Sequence, residues 1–351
     1  MSSTFDLLTL ALLPGPGTRG AAALAGRGAL EDALADPEAH ADVLGADAVA
    51  LLRSGAARRL AEEEQRRASS LGVRVVGRDE PDYPALLRRI FDPPPVLYVR
   101  GALDAGEGET SVAIVGARAC TPAGRTLGRA IARDLASWGA TVVSGLARGI
   151  DTAAHQGALD AGGRTVAVLG SGMDVLYPPE NDALARAIVE KGAVVSEFPL
   201  GTRALPHHFP RRNRVIAGWA RAVVVVEAAA RSGALNTAHT AVDEGRDVMA
   251  VPGHPSQPSC EGTNRLLREG AVLVRGAQDV AEELGLEVPT AAPELAADPL
   301  LGVLRADAPA SLEELRQRSG LETPELLARL SQLELRDEVR RLPGSLFVRH
   351  H

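Results

Sequence analysis

Short, nearly unbroken apolar runs alternate with stretches of helical period through the middle of the chain, from about residue 110 to 285. The runs are SVAIVGAR (111–118), TVVSGLA (141–147), RTVAVLG (164–170), AVVSEFP (193–199), RAVVVVEA (221–228), DVMAVPG (247–253) and AVLVRG (271–276). Because the runs are continuously apolar rather than alternating, they predict strands that are buried on both faces. The pattern predicts a Rossmann-like, doubly wound α/β domain with a mostly parallel sheet.

The segment before this domain has a different pattern. Residues 1–80 are predicted to form short helices, and a Pro-Gly-Pro-Gly turn within 12–26 separates two apolar stretches. This order is typical of a helix-hairpin-helix element, whose backbone N–H groups can meet a phosphate. A tight loop between packed helices is the alternative, and the excess of acidic residues in this domain favours it. Residues 81–109 are predicted to be a connecting segment.

The segment after the α/β domain begins with a linker. Residues 286–298 are rich in Pro and Ala and lack periodicity. Residues 299–349 then show three helical stretches followed by two short strands, which is the order of a winged helix. Ser311 and Glu314 are spaced as a capping box, and Thr323 precedes a proline at the start of the second long helix.

Composition and charge narrow the class of protein. Of the residues, 45% are hydrophobic and 24% are charged, which is ordinary for a folded protein, and the net charge is -7. That charge argues against a protein that coats nucleic acid through global attraction, but it leaves room for a local basic site. The absence of a long apolar segment or a basic leader predicts a cytoplasmic protein without membrane insertion. Cys120 and Cys260 lie too far apart in sequence to predict a disulfide scaffold or a cysteine-built zinc site.

The loops that follow the predicted strands are rich in glycine, hydroxyl groups and arginine. Ligands of doubly wound sheets bind beyond the carboxyl ends of the strands, so these loops are the first candidates for a site. None of them has the glycine pattern of a dinucleotide fold or a P-loop, so no dinucleotide cofactor or NTP hydrolysis is predicted. No histidines or carboxylates have the spacing of metal ligands, so no metal is predicted either. The candidates for holding an anion are Gly116, Arg118, Ser144, Gly145, Arg148, Ser232 and Gly233. Glycine placed only for tight turns is the alternative for each glycine.

The most basic segment of this acidic chain is LPHHFPRRNRVIAGWARA, at 205–222. It contains Arg211 and Arg214, and Phe209 lies beside them. A ring next to guanidinium groups is typical of a site for a single-stranded nucleic acid, with bases stacked and phosphates paired. The alternative is a solvated helix start with Phe209 packed into the core, and the local concentration of positive charge favours the nucleic-acid interpretation.

Other polar residues are predicted to have structural roles. Asp151 and His155 are spaced i, i+4 without a third ligand, so an N-cap is expected for Asp151 and a packed or gating position for His155. Glu197 and Glu227 each end a predicted strand. We expect them to bind loop backbone or arginines rather than to form a catalytic pair.

Seven segments, in order over about 160 residues, resemble the DNA processing protein A (DprA, or Smf) family of bacterial transformation. They are IVGARACTPAG, VVSGLARGIDTAAHQGAL, VLGSGMDVLYPPEN, SEFPLG, HHFPRRNRVIAG, VVVVEAAARSGALNTAHTAVDEGRDVMAVPG and EGTNRLLREGA. The flanks agree more loosely, with an N-terminal domain of sterile-alpha-motif or helix-hairpin-helix type and a C-terminal winged helix.

The resemblance implies a non-enzymatic protein that binds single-stranded DNA, protects incoming transforming DNA and loads the RecA recombinase onto it. It also implies a homodimer through the Rossmann-like domain and a single-strand binding protein as a further partner. Carried onto this sequence, the family's DNA pocket comprises Gly116, Arg118, Phe209, Arg211, Asn213, Arg214, Ser232 and Gly233.

A competing hypothesis is an enzyme, because related Rossmann-like domains include nucleoside-monophosphate phosphoribohydrolases similar to the LOG proteins. Those enzymes share a P-G-G-x-G-T-x-x-E motif. The corresponding stretch here is EAAARSGALNTAHTAVDE, which lacks the double glycine. The sequence therefore favours the DNA-binding protein.

Overall fold

The computed structural model describes most of the chain, and it divides into two compact units, Met1–Glu287 and Val288–His351. The described residues are 3–15, 24, 30–104, 110–288, 299–305, 308–335, 338–342 and 344–349. Most of the Pro-Gly turn predicted within 12–26, and most of the linker predicted at 286–298, lie outside them. Among the described residues, no helix is both long and apolar enough to cross a bilayer.

Short helices form the N-terminal part of the first unit. They are α1 (Thr4–Ala11), α2 (Leu30–Ala35), α3 (Ala41–Leu44), α4 (Ala46–Arg53) and α5 (Ala56–Ser70). Ser3 caps α1 by accepting a hydrogen bond from the N–H of Asp6. Apolar side chains of α1 and α5 pack in one cluster with Met173 and Val194 of the α/β region, so the helices share a core with the sheet.

A single nine-stranded sheet organises the rest of this unit. Its strands are β1 (Arg74–Gly77), β2 (Val96–Gly101), β3 (Ser111–Val115), β4 (Thr141–Ser144), β5 (Thr165–Val168), β6 (Ala193–Ser196), β7 (Ala222–Val225), β8 (Asp247–Ala250) and β9 (Val272–Leu273). The spatial order is β1-β2-β6-β5-β4-β3-β7-β8-β9. Strands β3 to β9 pair in parallel, whereas β2 pairs antiparallel with both β1 and β6. The predicted mostly parallel α/β sheet is confirmed.

Helices cover both faces of the sheet. They are α6 (Ala85–Arg88), α7 (Pro122–Ser137), α8 (Ile150–Asp160), α9 (Asp182–Lys191), α10 (His208–Trp219), α11 (Gly233–Asp243), α12 (Glu261–Arg268) and α13 (Ala277–Leu284). Strand residues Val112 and Ile114 pack in one apolar cluster, and Ala113 and Val115 pack in another. This two-sided burial is the physical reason for the unbroken apolar runs in the sequence.

Strand β2 lies within 81–109, a segment in which the sequence pattern predicts only a connection. Val96 to Val99 are nonetheless all buried. The strand extends the sheet beyond β6 and pairs with β1, so the N-terminal helices are joined to the sheet by paired backbone. Three prolines directly before Val96 obscured this strand in the sequence, because proline is typical of loops and strand edges.

The described residues of the second unit form three helices and a small antiparallel sheet. Its elements are α14 (Pro299–Val303), β10 (Ala310–Ser311), α15 (Leu312–Ser319), α16 (Thr323–Leu335), β11 (Val339–Leu342) and β12 (Leu346–Arg349). The strand order is β10-β12-β11, so a two-stranded wing follows α16. The predicted capping box is confirmed, since the Ser311 and Glu314 side chains each bind the other's backbone N–H. The order of elements is that of a winged helix.

His155 of α8 is fully buried, which confirms the expected packed position. Its Nδ1 lies 2.7 Å from Oγ1 of Thr165. Burial, together with the charge of Arg212, lowers the pKa of His155 to about 3 from its ordinary value of 6.5. Below pH 6.5 the unfolded chain therefore binds a proton that the native state excludes, and stability is lost as the pH falls.

From this residue alone, we expect the free energy of unfolding to fall by up to about 1.4 kcal/mol per pH unit below 6.5. In His155→Asn, which has no titrating imidazole, that part of the slope is expected to disappear. Urea unfolding of the wild type and of His155→Asn, at pH values between about 3 and 6.5, measures the difference. Parallel stability curves would show that His155 does not titrate in this way.

Candidate functional site

A cleft of about 760 Å³ opens at the carboxyl ends of β3 and β7. Strand order reverses between these two strands, since β4 lies on the other side of β3 and β8 on the other side of β7. Such a reversal leaves a crevice between the loops of adjacent strands, which is where doubly wound sheets bind ligands. Its lining includes Gly116, Arg118, Asp151, Tyr177, Phe209, Arg212, Asn213, Arg231, Ser232 and Gly233.

Phe209 and Arg118 meet in this cleft although they are 91 positions apart in sequence. The guanidinium carbon of Arg118 lies 4.7 Å from the centroid of the Phe209 ring. Arg118 is exposed, Phe209 is half-buried, and Arg118 forms no ion pair with any carboxylate of the described residues. The cleft therefore presents an aromatic face beside a cation that is open to solvent.

Arg212 lies beneath this pair and is 4% exposed. Its Nη1 donates hydrogen bonds to the carbonyl of Gly145, at 2.7 Å, and to that of Val168. Burial lowers the pKa of Arg212 to about 10, with the charge of Asp151 opposing the shift, so the side chain stays protonated at neutral pH. Arg212 thus places a positive charge at the ends of β4 and β5, where strand carbonyls lack ladder partners.

Gly145 leaves the space that Arg212 fills. A Cβ atom at this position would lie 2.2 Å from Nη1 of Arg212, so a larger residue would displace the guanidinium. Ser144 is also fully buried, and its Oγ donates to the carbonyl of Ile114 at 2.6 Å. Neither Ser144 nor Gly145 lines the cleft. Both lie behind it and join β4 to its neighbours.

Asp151 is the one acidic residue among the described side chains that line the cleft. It was expected to be an N-cap, which is wrong: Gly149 is the N-cap of α8, and Asp151 lies in the first turn. Its Oδ2 instead accepts hydrogen bonds from the N–H groups of Gly145, at 3.2 Å, and Ala147, at 3.4 Å. Burial raises the pKa of Asp151, while the charges of nearby arginines and these N–H groups oppose the shift.

The start of α11 forms another wall. Ser232 is its N-cap and accepts a hydrogen bond from the N–H of Ala234. A Cβ atom on Gly233 would meet nothing within 4 Å, so the backbone there is open to the cleft. Nδ2 of Asn213 donates to the carbonyl of Gly233 at 3.4 Å, which ties α10 to α11. The N–H groups of Ser232, Ala234 and Leu235 already have partners, so the N–H of Gly233 is the group left for an anion at this helix start.

Besides Ser144 and Gly145, three more of the predicted site residues, Arg148, Arg211 and Arg214, do not line the cleft. Arg211 and Arg214 both pair with the buried carboxylate of Glu197. The side chain of Arg214 is 12% exposed and that of Arg211 is 43% exposed, so only Arg211 is largely open to solvent.

The remaining arginine of the three lies on the surface. The exposed side chain of Arg148 forms an ion pair with Glu180. Because that pair is open to water on both sides, it leaves the guanidinium available to another anion.

The two carboxylates at strand ends have the structural roles predicted for them. Glu197 binds arginines, as described above. Glu227 accepts hydrogen bonds from the N–H of Thr121 and from its hydroxyl, the latter at 2.7 Å. Thr121 caps α7, so Glu227 fixes the loop between Arg118 and that helix. The prediction for both residues is confirmed.

Sequence reasoning did not assign Tyr177, Arg212 or Arg231 to the site, although all three line the cleft. The Tyr177 ring lies 5.9 Å from that of Phe209 at 58°, and it is 38% exposed. Arg231 is exposed beside Ser232. The signal for Tyr177 was its position in a loop that follows β5, since every loop at this edge of the sheet is a candidate for ligand contact.

Comparison with known proteins shows the family to which the chain belongs. A family profile described as DNA recombination-mediator protein A matches residues 74–285, and one described as DprA winged helix domain matches residues 281–345. Protein Smf of Escherichia coli is 39% identical over 284 residues, which cover 77% of this chain and 76% of that protein. DNA processing protein DprA of Streptococcus pneumoniae is 45% identical over 201 residues, covering 57% of this chain and 71% of that protein.

Two solved structures extend the comparison. The X-ray structure of DprA from Streptococcus pneumoniae matches with a TM-score of 0.71 and 35% identity over 80% of this chain and 98% of that one. DNA processing protein A of Helicobacter pylori, whose structure was described for its single-stranded DNA binding mode, matches with a TM-score of 0.53 and 29% identity over 57% and 92% of the two chains. The chain belongs to the DNA recombination-mediator protein A family, as its ordered motifs predicted.

Proposed function

We propose that this protein binds single-stranded DNA in the cleft between β3 and β7, as a recombination mediator and without catalysis. The observation that carries the proposal is the exposed guanidinium of Arg118 over the Phe209 ring in a cleft lined by further arginines. The Helicobacter pylori relative, which is described as a single-stranded DNA binder, supports it. The family profile, described as that of a recombination mediator, supports the role.

The chemistry of the cleft suits a single strand. A base stacks on the Phe209 ring, with Tyr177 as a second aromatic surface 5.9 Å away. The flanking phosphates bind Arg118, Arg231 and the N–H of Gly233 at the start of α11. A duplex offers neither an unstacked base nor the narrow backbone that such a cleft admits, so the single strand is preferred.

The predicted residues divide into three groups in this proposal. Gly116, Arg118, Phe209, Asn213, Ser232 and Gly233 line the cleft and form the contact surface. Ser144, Gly145 and Arg214 support that surface through buried hydrogen bonds and an ion pair. Arg148 and Arg211 are exposed next to it, where they extend the path of the backbone.

Membership of the family supports a wider role. We propose that the protein protects incoming single-stranded DNA during transformation, loads RecA onto it and acts as a homodimer, with one cleft per protomer along the strand. Displacement of a single-strand binding protein by RecA, followed on a long single strand with and without this protein, tests the loading step. An unchanged rate of RecA assembly would show that the protein binds DNA but does not load RecA.

We expect Arg118→Ala to weaken binding of single-stranded DNA uniformly across sequences. Log affinity falls linearly with log salt concentration, and loss of one phosphate contact makes that slope shallower by about one unit. Fluorescence anisotropy with labelled oligonucleotides at several salt concentrations measures both changes. Arg125→Ala is the matched control, since Arg125 is exposed on α7 and lies outside the cleft lining. Equal slopes for the two variants would remove Arg118 from the site.

A further inference from the structure

A buried carboxylate of the N-terminal helices contacts the loop that leads to the DNA cleft. Glu64 of α5 is 7% exposed. Its Oε1 accepts a hydrogen bond of 2.7 Å from the backbone N–H of Leu200, which lies 136 positions further along the chain. A buried carboxylate that accepts a backbone N–H forms a strong, charge-assisted hydrogen bond. Leu200 belongs to the loop that joins β6 to α10.

A second carboxylate holds the next residue of the same loop. Oδ1 of Asp174 accepts the N–H of Gly201 at 2.7 Å. Arg67, one turn beyond Glu64 on α5, lies between the two acids, at 4.0 Å from Glu64 and 3.7 Å from Asp174. We name Glu64, Arg67 and Asp174 the loop clamp. Its two carboxylates fix two consecutive N–H groups of the loop, those of Leu200 and Gly201.

The clamped loop supports the first turn of α10. The ring of Phe198 stacks on that of His208, with centroids 4.5 Å apart, and the guanidinium of Arg211 lies 5.1 Å from the Phe198 centroid. Glu197 pairs with Arg211 as well. Phe209 lies between His208 and Arg211 in sequence, so the position of its ring depends on these contacts.

We propose that Glu64 is a positioning residue for single-stranded DNA binding, through which the N-terminal helices hold the β6–α10 loop and thereby aim Phe209 into the cleft. This inference rests on the proposed DNA-binding function. Without the hydrogen bond from Leu200 to Glu64, the loop samples more orientations. The orientation of Phe209 that binds DNA is then less populated in the free protein. The N-terminal helices contribute to affinity in this way without touching the DNA.

Three variants of α5 test the proposal. Glu64→Ala is expected to weaken binding of a single-stranded oligonucleotide about 3- to 10-fold, since the N–H of Leu200 loses its partner. Glu64→Gln retains an acceptor oxygen for that N–H and is expected to restore most of the affinity. Glu63→Ala removes the same charge from an exposed neighbour on the same helix, and its affinity is expected to equal that of the wild type.

A double-mutant cycle separates positioning from general destabilisation. If Glu64 acts through Phe209, Glu64→Ala is expected to change affinity in the wild type but not in a Phe209→Ala background. Hydrogen exchange of the peptide that spans 198–211 is expected to rise in Glu64→Ala while that of the sheet strands is unchanged. Equal effects in both backgrounds, or wild-type affinity in Glu64→Ala, would overturn the inference.

The same cycle distinguishes failure of the inference from failure of the proposed function. If Phe209→Ala binds like the wild type, the DNA site itself is wrongly assigned. If Phe209→Ala is weakened and Glu64→Ala is not, only the positioning role fails. If Glu64→Ala does not fold, Asp174→Ala provides a second test, because it removes the acceptor of the neighbouring N–H, that of Gly201. It is expected to couple to Phe209 in the same way, and additive effects would contradict the proposal.

Discussion

Phe209→Ala is expected to weaken binding of single-stranded DNA about 5- to 150-fold, which is the range of alanine substitutions at base-stacking rings. The ring is half-buried against Gly170, where a Cβ atom would lie 3.1 Å from it, so its face is held toward the cleft and Arg118. Removing it takes away both the stacking surface and the partner of the Arg118 guanidinium. Anisotropy titrations at constant salt measure the loss.

The control for this variant is Phe91→Ala. Phe91 is 83% exposed and does not line the cleft, so its removal is expected to leave DNA affinity unchanged. Phe209→Tyr, which keeps the ring, is expected to bind nearly as well as the wild type. If Phe91→Ala and Phe209→Ala lose affinity to the same degree, stacking in this cleft is not what holds the strand.

Arg212→Ala is expected to destabilise the folded protein by about 2–6 kcal/mol, since each of two buried carbonyls left without its donor costs about 1–3 kcal/mol. Two strand-end carbonyls, of Gly145 and Val168, would lose their donor, and buried Asp151 would lose a neighbouring cation. Urea denaturation at neutral pH measures the change in free energy of unfolding.

Arg125→Ala is the appropriate comparison here too, because it removes an arginine whose side chain is exposed. Its free energy of unfolding is expected to stay within about 0.5 kcal/mol of the wild-type value. Gly145→Ala is expected to behave like Arg212→Ala, since its methyl group would occupy the space of the guanidinium. Wild-type stability in both Arg212→Ala and Gly145→Ala would refute the structural role assigned to Arg212.

The sequence predicted the sheet and the edge that carries the site because both depend on local signals. Unbroken apolar runs arise because the strands are buried on both faces. The glycine and hydroxyl residues that come directly after β3 and β7 mark the loops at the ligand-binding edge of the sheet. The pairing of Arg118 with Phe209 could also be expected, since each lay in a segment that resembled the same family. Their separation of 4.7 Å required the fold.

What the sequence did not reveal depends on contacts between distant segments. Arg211, Arg212 and Arg214 are alike in sequence, yet they differ in surroundings because α10 turns one toward Gly145 and two toward Glu197. Ser144 is the last residue of β4, next to the loops of the cleft, but its hydroxyl donates to the carbonyl of Ile114 inside the sheet. Whether an arginine of α10 supports the loops or is open to DNA therefore depends on how deeply its side of the helix is buried, and not on residue type.

In the proposed function, the cleft between β3 and β7 selects single-stranded DNA. Anisotropy titrations of single-stranded and double-stranded oligonucleotides of equal length, at several salt concentrations, test it most directly. We predict strong preference for the single strand, affinity that falls with salt, and loss of the preference in Phe209→Ala. Equal affinity for the two forms, or no binding to either, would show that the cleft is not a site selective for single-stranded DNA.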